Sequence, residues 1–160
     1  MIGFGTQSRF HNPQAWAPPW VLWMLNEMYM REVAGIKNNP RIEWYHSHTA
    51  AGEAADEVPW CSSIQCAAMA SCGLPHTRSK AASSWRTYGA PTLLKIGAIL
   101  VFGKSDPDAT GTGHVGNCVG YSDRYVLCLG GNQGNEVNVA RRLVSSLVDV
   151  RWPSEYQFTP

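Results

Sequence analysis

Cys61 and the residues around it could supply a nucleophilic thiol. It lies in Val-Pro-Trp-Cys-Ser-Ser, residues 58–63, where an acidic, glycine-containing loop gives way to a helical stretch. Free amides and the helix dipole at a helix start lower the pKa of a thiol, and the Ser62 amide could donate to an oxyanion. A cysteine taken alone is more often simply buried, and Cys66 and Cys72, among Ala and Met, suit that reading better. The position of Cys61 predicts a reactive thiolate.

His114 is the candidate general base. Of the five histidines, it alone is flanked by glycines at the start of a β-like run, in Gly113-His114-Val115-Gly116. The two glycines would let a substrate backbone approach closely. An imidazole beside a thiol can take its proton and later return it to a leaving group. A strand histidine with an ordinary hydrogen bond is the simpler reading of His114 alone, so the hypothesis depends on its pairing with Cys61.

Strand register predicts which residue orients the imidazole. If residues 122–124 form a three-residue hairpin loop, Cys118 faces Cys128 and Asn132 faces His114. Residues opposite each other share one face of a sheet, so the Asn132 amide could reach the ring. A two-residue turn would instead place Gly131 or Gln133 there, and only Gln133 has a side chain for the task. A plain turn is an equally permitted reading of residues 130–133.

A zinc site is the competing chemistry. His46 and His48 lie beside Glu43, but a His-x-His pair with one acid is a weak ligand set, and no CxxC occurs. We therefore predict no metal and no cofactor. The odd number of cysteines, five, and their spacing favour free thiols in a reducing compartment, which argues against a disulfide between the facing Cys118 and Cys128.

The elements that must position these residues follow an α+β order, with helices first and an antiparallel meander second. Helices are predicted over residues 19–35, from 40 through 45, over 61–73 and over 79–88, and strands over 96–102, 114–121, 125–129, 137–142 and 147–151. Residues 1–17 read as an irregular arm, and residues 18–160 as a single catalytic domain.

Composition excludes several classes of function. The chain has 160 residues, 44% hydrophobic and 16% charged, with a net charge of +1 and no basic block, so we expect a globular monomer without a nucleic-acid partner. The longest apolar runs are too short to span a bilayer. The N-terminus lacks the pattern of a signal peptide, which predicts synthesis in the cytoplasm.

Several of these segments together resemble NlpC/P60-type cysteine peptidases, close to the CHAP amidase group. More narrowly, the chain is similar to a subfamily found among phage lysis proteins and related bacterial cell-wall hydrolases. The similarity covers about residues 18–153. The matching segments, in the family's order, are Asn-Asn-Pro-Arg-Ile (38–42), Pro-Trp-Cys-Ser (59–62), Ser-Trp (84–85), Gly-His-Val-Gly (113–116), Leu-Gly-Gly-Asn-Gln (129–133) and Val-Asn-Val (137–139).

The resemblance implies a papain-like fold and cleavage of amide bonds in the stem peptides of bacterial peptidoglycan. It makes Cys61 the nucleophile and His114 the base, while Asn132 as third catalytic residue rests on resemblance and register together. Oxyanion or substrate-binding roles are expected for Trp60, Ser62, Gly113 and Gln133. The chain departs from the family at Ala98, where an Asp is usual, and in the loop over residues 103–113, which is expected to shape the substrate groove.

The sequence is compatible with three functions that use no metal. The first is a phage endolysin, made in the host cytoplasm and released to the wall through a holin-type pore. The second is an amidase effector of the same fold, injected by a bacterial secretion machine. The third is a wall-binding module without catalysis. Both N-acetylmuramoyl-L-alanine amidases and D-glutamyl–diaminopimelate endopeptidases occur around this fold, so the bond that is cut stays open.

Overall fold

The computed structural model describes residues 16–109 and 111–157, and in this part of the chain three α-helices precede a six-stranded antiparallel sheet. The predicted α+β class is therefore confirmed. The predicted arm over residues 1–17 lies, apart from its last two residues, outside the described residues. No helix in the described ranges has the length and hydropathy needed to cross a bilayer.

The first helix, α1, spans Pro19–Leu25 and is much shorter than predicted. Its apolar stripe continues to Met28, but the backbone beyond it finds other partners. The Tyr29 amide donates to the Val137 carbonyl (2.9 Å), and the Val137 amide donates to the Met30 carbonyl (2.8 Å). This pairing replaces the hydrogen bonds of a longer helix. It places the segment after α1 beside Val137.

The second helix, α2 (Pro40–Ser47), begins as the sequence predicts, because the Asn39 side chain accepts a hydrogen bond from the Arg41 amide at 2.9 Å. The third, α3, spans Cys61–Ser71. The predicted fourth helix is instead a 3₁₀-helix over Ala82–Thr87. Serine hydroxyls compete with the helical pattern there, since Ser84 Oγ donates to the Ala81 carbonyl at 2.7 Å.

The sheet has the strand order β1-β6-β2-β3-β4-β5. The strands are β1 (Ala90–Pro91), β2 (Ile99–Phe102), β3 (His114–Tyr121), β4 (Tyr125–Gly130), β5 (Asn138–Leu143) and β6 (Leu147–Trp152), with a second 3₁₀-helix at Val144–Ser146. Strands β2 to β5 form the predicted meander. Strand β6 then returns to pair with β2, which places β2 and β3 near the centre of the sheet.

Strand β2 begins later than predicted because its entry is packed tightly. Gly97 has a φ of 85°, and a side chain there would meet the ring of Pro18 at 2.4 Å. The Trp20 indole also donates to the Gly97 carbonyl at 3.0 Å. Ala98, the departure from the family pattern, is fully buried. A carboxylate at this position would be buried too, so the alanine suits its surroundings.

Helix α3 packs against β3, and residues 61–69 of the helix are all buried. Two amide side chains join the elements inside this apolar contact. Gln65 Nε2 donates to Asn117 Oδ1 at 3.0 Å, and Asn117 Nδ2 donates to Gln65 Oε1 at 2.9 Å. Both residues are fully buried. Gln65 lies one turn after Cys61, and Asn117 lies three residues after His114, so this pair fixes the two candidate elements against each other.

We predict that Gln65→Leu and Asn117→Leu each lower the free energy of unfolding by about 2–3 kcal/mol, because each leaves a buried amide without its partner. The double variant should cost clearly less than the sum of the single variants. Denaturant unfolding of the four proteins measures this coupling. Strictly additive losses would contradict it. Asn38→Leu, which removes an exposed amide contact to Glu43, is the control and should cost less than about 0.5 kcal/mol.

Candidate active site

Cys61 is the first residue of α3, as the sequence predicts, and only 1% of it is exposed. The preceding residue, Trp60, provides no side-chain cap for the helix, so the first-turn amides remain available. The thiol lies against the backbone amides of Ser62 and Val115. Val115 directly follows His114, so the structure brings the candidate nucleophile to the beginning of β3.

Burial controls the protonation of this thiol. It raises the pKa of Cys61 to about 11, and the nearby Asp106 carboxylate adds to the rise, although the amides of Val115 and Ser62 oppose it. The thiol is therefore protonated at neutral pH. The lowering expected from the helix start is present but is outweighed by the loss of solvent.

His114 is the first residue of β3 and is fully buried. Its Nε2 lies 3.1 Å from Gln133 Oε1, and its ring packs near that of Phe102, with the centroids 6.0 Å apart. Its Nδ1 has no hydrogen-bond partner. Burial and the positive charge of Arg142 lower the pKa of His114 to about 4. The ring is thus neutral at neutral pH and has one unpaired nitrogen.

The predicted pairing of β3 with β4 is found, but the predicted three-residue turn is wrong. Cys118 faces Cys128, as predicted. The hairpin, however, closes through two residues, with the Ser122 amide donating to the Tyr125 carbonyl at 2.8 Å. A bulge at Val119 then shifts the pairing by one residue and restores the predicted register.

Asn132 does not orient the imidazole, and Gln133, the alternative, contacts it instead. Strand β4 ends at Gly130, so the pairing that would have placed Asn132 opposite His114 does not extend that far. Asn132 adopts a left-handed conformation with a φ of 57°. Through this turn, the side chain of the next residue, Gln133, reaches His114.

The contacts of Gln133 define the tautomer of His114. Gln133 Nε2 lies 2.8 Å from the Asn138 carbonyl and 3.2 Å from the Cys128 carbonyl, and both of these atoms can only accept. The other amide atom must therefore be the oxygen, and it faces His114. An oxygen there requires His114 Nε2 to carry the proton and donate. In the neutral ring, Nδ1 is then the unprotonated nitrogen that can accept a proton.

Trp60, predicted in the oxyanion or substrate-binding group, has a supporting position instead. It is fully buried, stacks on Tyr45 with centroids 6.0 Å apart, and donates from Nε1 to Glu32 Oε1 at 2.9 Å. A side chain on Gly131 would come within 2.4 Å of the Trp60 ring. The tryptophan thus packs the start of α3 onto the turn that carries Gln133.

Ser62 offers its backbone amide to the site, while its side chain serves the fold. Its hydroxyl donates to the Ser79 carbonyl at 2.6 Å and accepts from Trp85 Nε1 at 2.8 Å. Its amide lies at the Cys61 thiol. The oxyanion prediction therefore applies to the main chain of Ser62.

The two glycines around His114 are required by packing rather than by substrate access. Gly113 has a φ of 105°, and a side chain there would meet the Phe102 carbonyl at 2.2 Å. At Gly116, a side chain would lie 2.5 Å from Cys128 Sγ. Both positions bring neighbouring strands close together, which explains the predicted motif without a bound ligand.

Three charged residues next to this site escaped the sequence analysis. Arg142, on β5, forms ion pairs with Asp106 (2.8 Å) and Asp108, both in the loop that precedes β3, and it also contacts Gln133. Asp106 and Asp108 lie in an Asp-Pro-Asp segment of the loop over residues 103–113, which is expected from the sequence to shape the substrate groove. Nothing in the local pattern linked it to Arg142, which lies 36 residues from Asp106.

The residues of the competing zinc hypothesis are not assembled. His46 is fully buried with Nδ1 2.8 Å from Ser63 Oγ, whereas His48 Nδ1 lies 3.0 Å from the Trp44 carbonyl. Glu43 accepts from Asn38. No group of three or more metal-ligating side chains is found within residues 16–109 and 111–157.

No protein-family model matches the chain, and no curated protein or solved structure is significantly similar to it. The resemblance to NlpC/P60-type peptidases rests on the sequence motifs alone and stays a prediction.

We predict that alkylation of Cys61 by iodoacetamide rises about tenfold per pH unit between about pH 6 and about pH 9, because the thiol has a pKa of about 11 and only thiolate reacts. Peptide-resolved mass spectrometry measures the rate at each cysteine. Cys128, fully buried with a pKa raised to about 12, is the internal control and should react more slowly. A plateau for Cys61 near neutral pH would instead reveal a resting thiolate–imidazolium pair.

Proposed function

We propose that this protein is a cysteine hydrolase of papain-like fold that cleaves amide bonds in peptidoglycan stem peptides, acting as a phage endolysin. One observation carries the hydrolase proposal. The Cys61 thiol, at the start of α3, lies against the amide that follows His114, while Gln133 holds His114 Nε2 and leaves Nδ1 unpaired. Nucleophile, base and orienting amide are thus provided by three separate elements that meet at one end of β3.

The proposed reaction starts from a neutral thiol and a neutral imidazole. Hydrogen bonds between a nucleophile and its base are often long without substrate, and the one from Cys61 to His114 Nδ1 forms when substrate binds. As sulfur attacks the carbonyl carbon, the thiol proton moves to Nδ1. The tetrahedral oxyanion accepts hydrogen bonds from first-turn amides of α3, such as that of Ser62.

The second half of the reaction returns the proton. The His114 imidazolium donates from Nδ1 to the leaving amine, the C–N bond breaks, and a thioester remains on Cys61. Nδ1 then takes a proton from water, which attacks the thioester, and the same proton restores the thiol as the acid product leaves. Throughout, Gln133 Oε1 accepts from Nε2–H, so it stabilises the imidazolium and keeps the ring in place.

The substrate class comes from the resemblance rather than from the site. Pro-Trp-Cys-Ser (59–62), Gly-His-Val-Gly (113–116) and Gly-Gly-Asn-Gln (130–133) occur in the order found in cell-wall hydrolases. These segments form the start of α3, the start of β3 and the turn after β4. The same chemistry would serve an injected amidase effector, and the two differ in the genetic context of the chain.

We predict that the purified protein releases soluble fragments from peptidoglycan and that Cys61→Ala abolishes this release, because the variant lacks the nucleophile. Cys66→Ala is the matched control. Cys66 lies in the same helix and is equally buried, so its loss tests the effect of a small cavity in α3 and should leave turnover within about threefold of wild type.

Mass spectrometry of the fragments identifies the bond. New amino groups on L-alanine indicate an amidase, and new amino groups on diaminopimelate indicate an endopeptidase. Lysis by Cys61→Ala would refute the thiol mechanism, and loss of activity with a chelator would favour the zinc alternative. Binding to the wall without any release by the wild type would favour a non-catalytic wall module.

We predict that Gln133→Ala lowers kcat about 100-fold, because an imidazole without its orienting acceptor is a poor base. Asn132→Gly should remain within about threefold of wild type, since glycine tolerates the left-handed backbone of this position and Asn132 does not contact His114. Steady-state hydrolysis of a soluble muropeptide compares the two variants. A greater loss for Asn132→Gly than for Gln133→Ala would mean that Asn132 acts on the imidazole after all.

A further inference from the structure

A buried ion cluster lies behind Gln133. The Arg142 side chain is only 4% exposed, and Nη1 donates to Asp106 Oδ1 at 2.8 Å, with that aspartate 1% exposed. Asp108 pairs with the same guanidinium. The cluster joins β5 to the loop that leads into β3. It places two buried charges, those of Arg142 and Asp106, where a core would ordinarily hold apolar side chains, while Asp108 is partly exposed.

The third contact of the guanidinium reaches the candidate site. Arg142 Nη2 donates to Gln133 Oε1 at 2.9 Å, and the same oxygen accepts from His114 Nε2 at 3.1 Å. A guanidinium can only donate. Together with the Asn138 and Cys128 carbonyls, it therefore opposes the flipped amide, which would turn the NH₂ group of Gln133 toward His114 and force the ring into its other tautomer.

We propose that Arg142 is a positioning residue of the hydrolase, which holds the carbonyl oxygen of Gln133 on His114 Nε2 and thereby keeps Nδ1 as the proton-accepting nitrogen. The inference rests on the proposed function. Asp106 and Asp108 serve Arg142 in turn, since they compensate the buried positive charge and fix the plane of the guanidinium.

Stability alone does not account for this cluster. Buried ion pairs are often no more stabilising than apolar side chains of similar volume, because desolvation offsets the attraction. Arg142 faces inward on β5, whereas its neighbour Leu143 faces outward and is 44% exposed. Such a departure from the usual apolar-in pattern is typical of functional positions, and the contact to Gln133 supplies the reason here.

The charges around His114 make the role measurable. The positive charge of Arg142 lowers the pKa of His114, and the negative charge of Asp108 raises it. Asp106 adds a second negative charge to the cluster. Neutralising Arg142 should therefore raise the pH at which the imidazole takes up a proton, and neutralising Asp108 should lower it, so the two changes have opposite signs.

NMR of the full chain labelled with ¹⁵N-histidine tests the inference without any hydrolysis assay. In the wild type, the ring of His114 should show a protonated Nε2 and an unprotonated Nδ1. In Arg142→Met, we expect a titration midpoint raised by about one pH unit or more and a smaller population of the Nε2-protonated tautomer, which the contacts of Gln133 Nε2 to the Asn138 and Cys128 carbonyls still favour. In Arg142→Lys, whose ammonium can still donate to Gln133 Oε1, most of the wild-type tautomer should return.

Three further variants complete the experiment. Arg41→Met is the matched control, because Arg41 also pairs with a carboxylate, Glu27, but does not contact Gln133; it should leave the His114 signals unchanged. If Arg142→Met does not fold, Arg142→Met combined with Asp106→Asn removes one charge of each sign and takes its place. Asp108→Asn should lower the midpoint.

An unchanged tautomer and midpoint in the folded Arg142→Met protein would overturn the positioning role. In the combined variant, where the two charge changes oppose each other in their effect on the midpoint, an unchanged tautomer would overturn it. If Arg142→Met loses Nε2 protonation but the wild type hydrolyses nothing, the role of Arg142 in orienting His114 is supported and the proposed function is refuted. If the wild type is active, Arg142→Met should lower kcat about tenfold or more with KM little changed, and a rise in KM alone would contradict the inference.

Discussion

The reciprocal amide pair between Gln65 and Asn117 is the contact on which the site geometry depends. It lies in an otherwise apolar interface between α3 and β3, where neither amide can turn to water. Sliding the helix by one residue along the strand would leave both amides unpaired at a cost of several kcal/mol. Apolar contacts alone would tolerate such a shift more easily. The pair thus fixes the position of Cys61 relative to His114 along the direction of β3.

The same close packing determines the chemistry of the resting site. Removing solvent raises the pKa of the Cys61 thiol and lowers that of the His114 imidazole, so both groups are neutral near pH 7. A thiolate–imidazolium pair would need stronger compensation than the few amides around the thiol supply. In the proposed mechanism, proton transfer is therefore coupled to attack on the substrate, and the orientation of the neutral imidazole matters more than its charge.

The parts of this arrangement that follow from local chemistry could be predicted from the sequence. The start of α2 at Asn39-Pro40, the start of α3 at Cys61 and the bounds of β3 depend on neighbouring residues, and all three are found where expected. The partner of His114 depends on the shape of the turn after β4. A bulge at Val119 and the end of pairing at Gly130 leave Gln133 in contact, and neither is encoded by a short motif.

Arg142 shows a second limit of pattern reasoning. On β5, alternation places Val139, Arg141 and Leu143 on one face and Asn138, Ala140 and Arg142 on the other. The two large apolar side chains favour the first face as the inner one, yet Val139 is 40% exposed and Arg142 is buried. The inversion is possible because Asp106 and Asp108 compensate the guanidinium from a loop 34 to 36 residues away. A register that buries an arginine costs desolvation energy unless such partners exist. The loop before β3 and the inward face of β5 therefore depend on each other, and the orienting amide of Gln133 lies between Arg142 and His114.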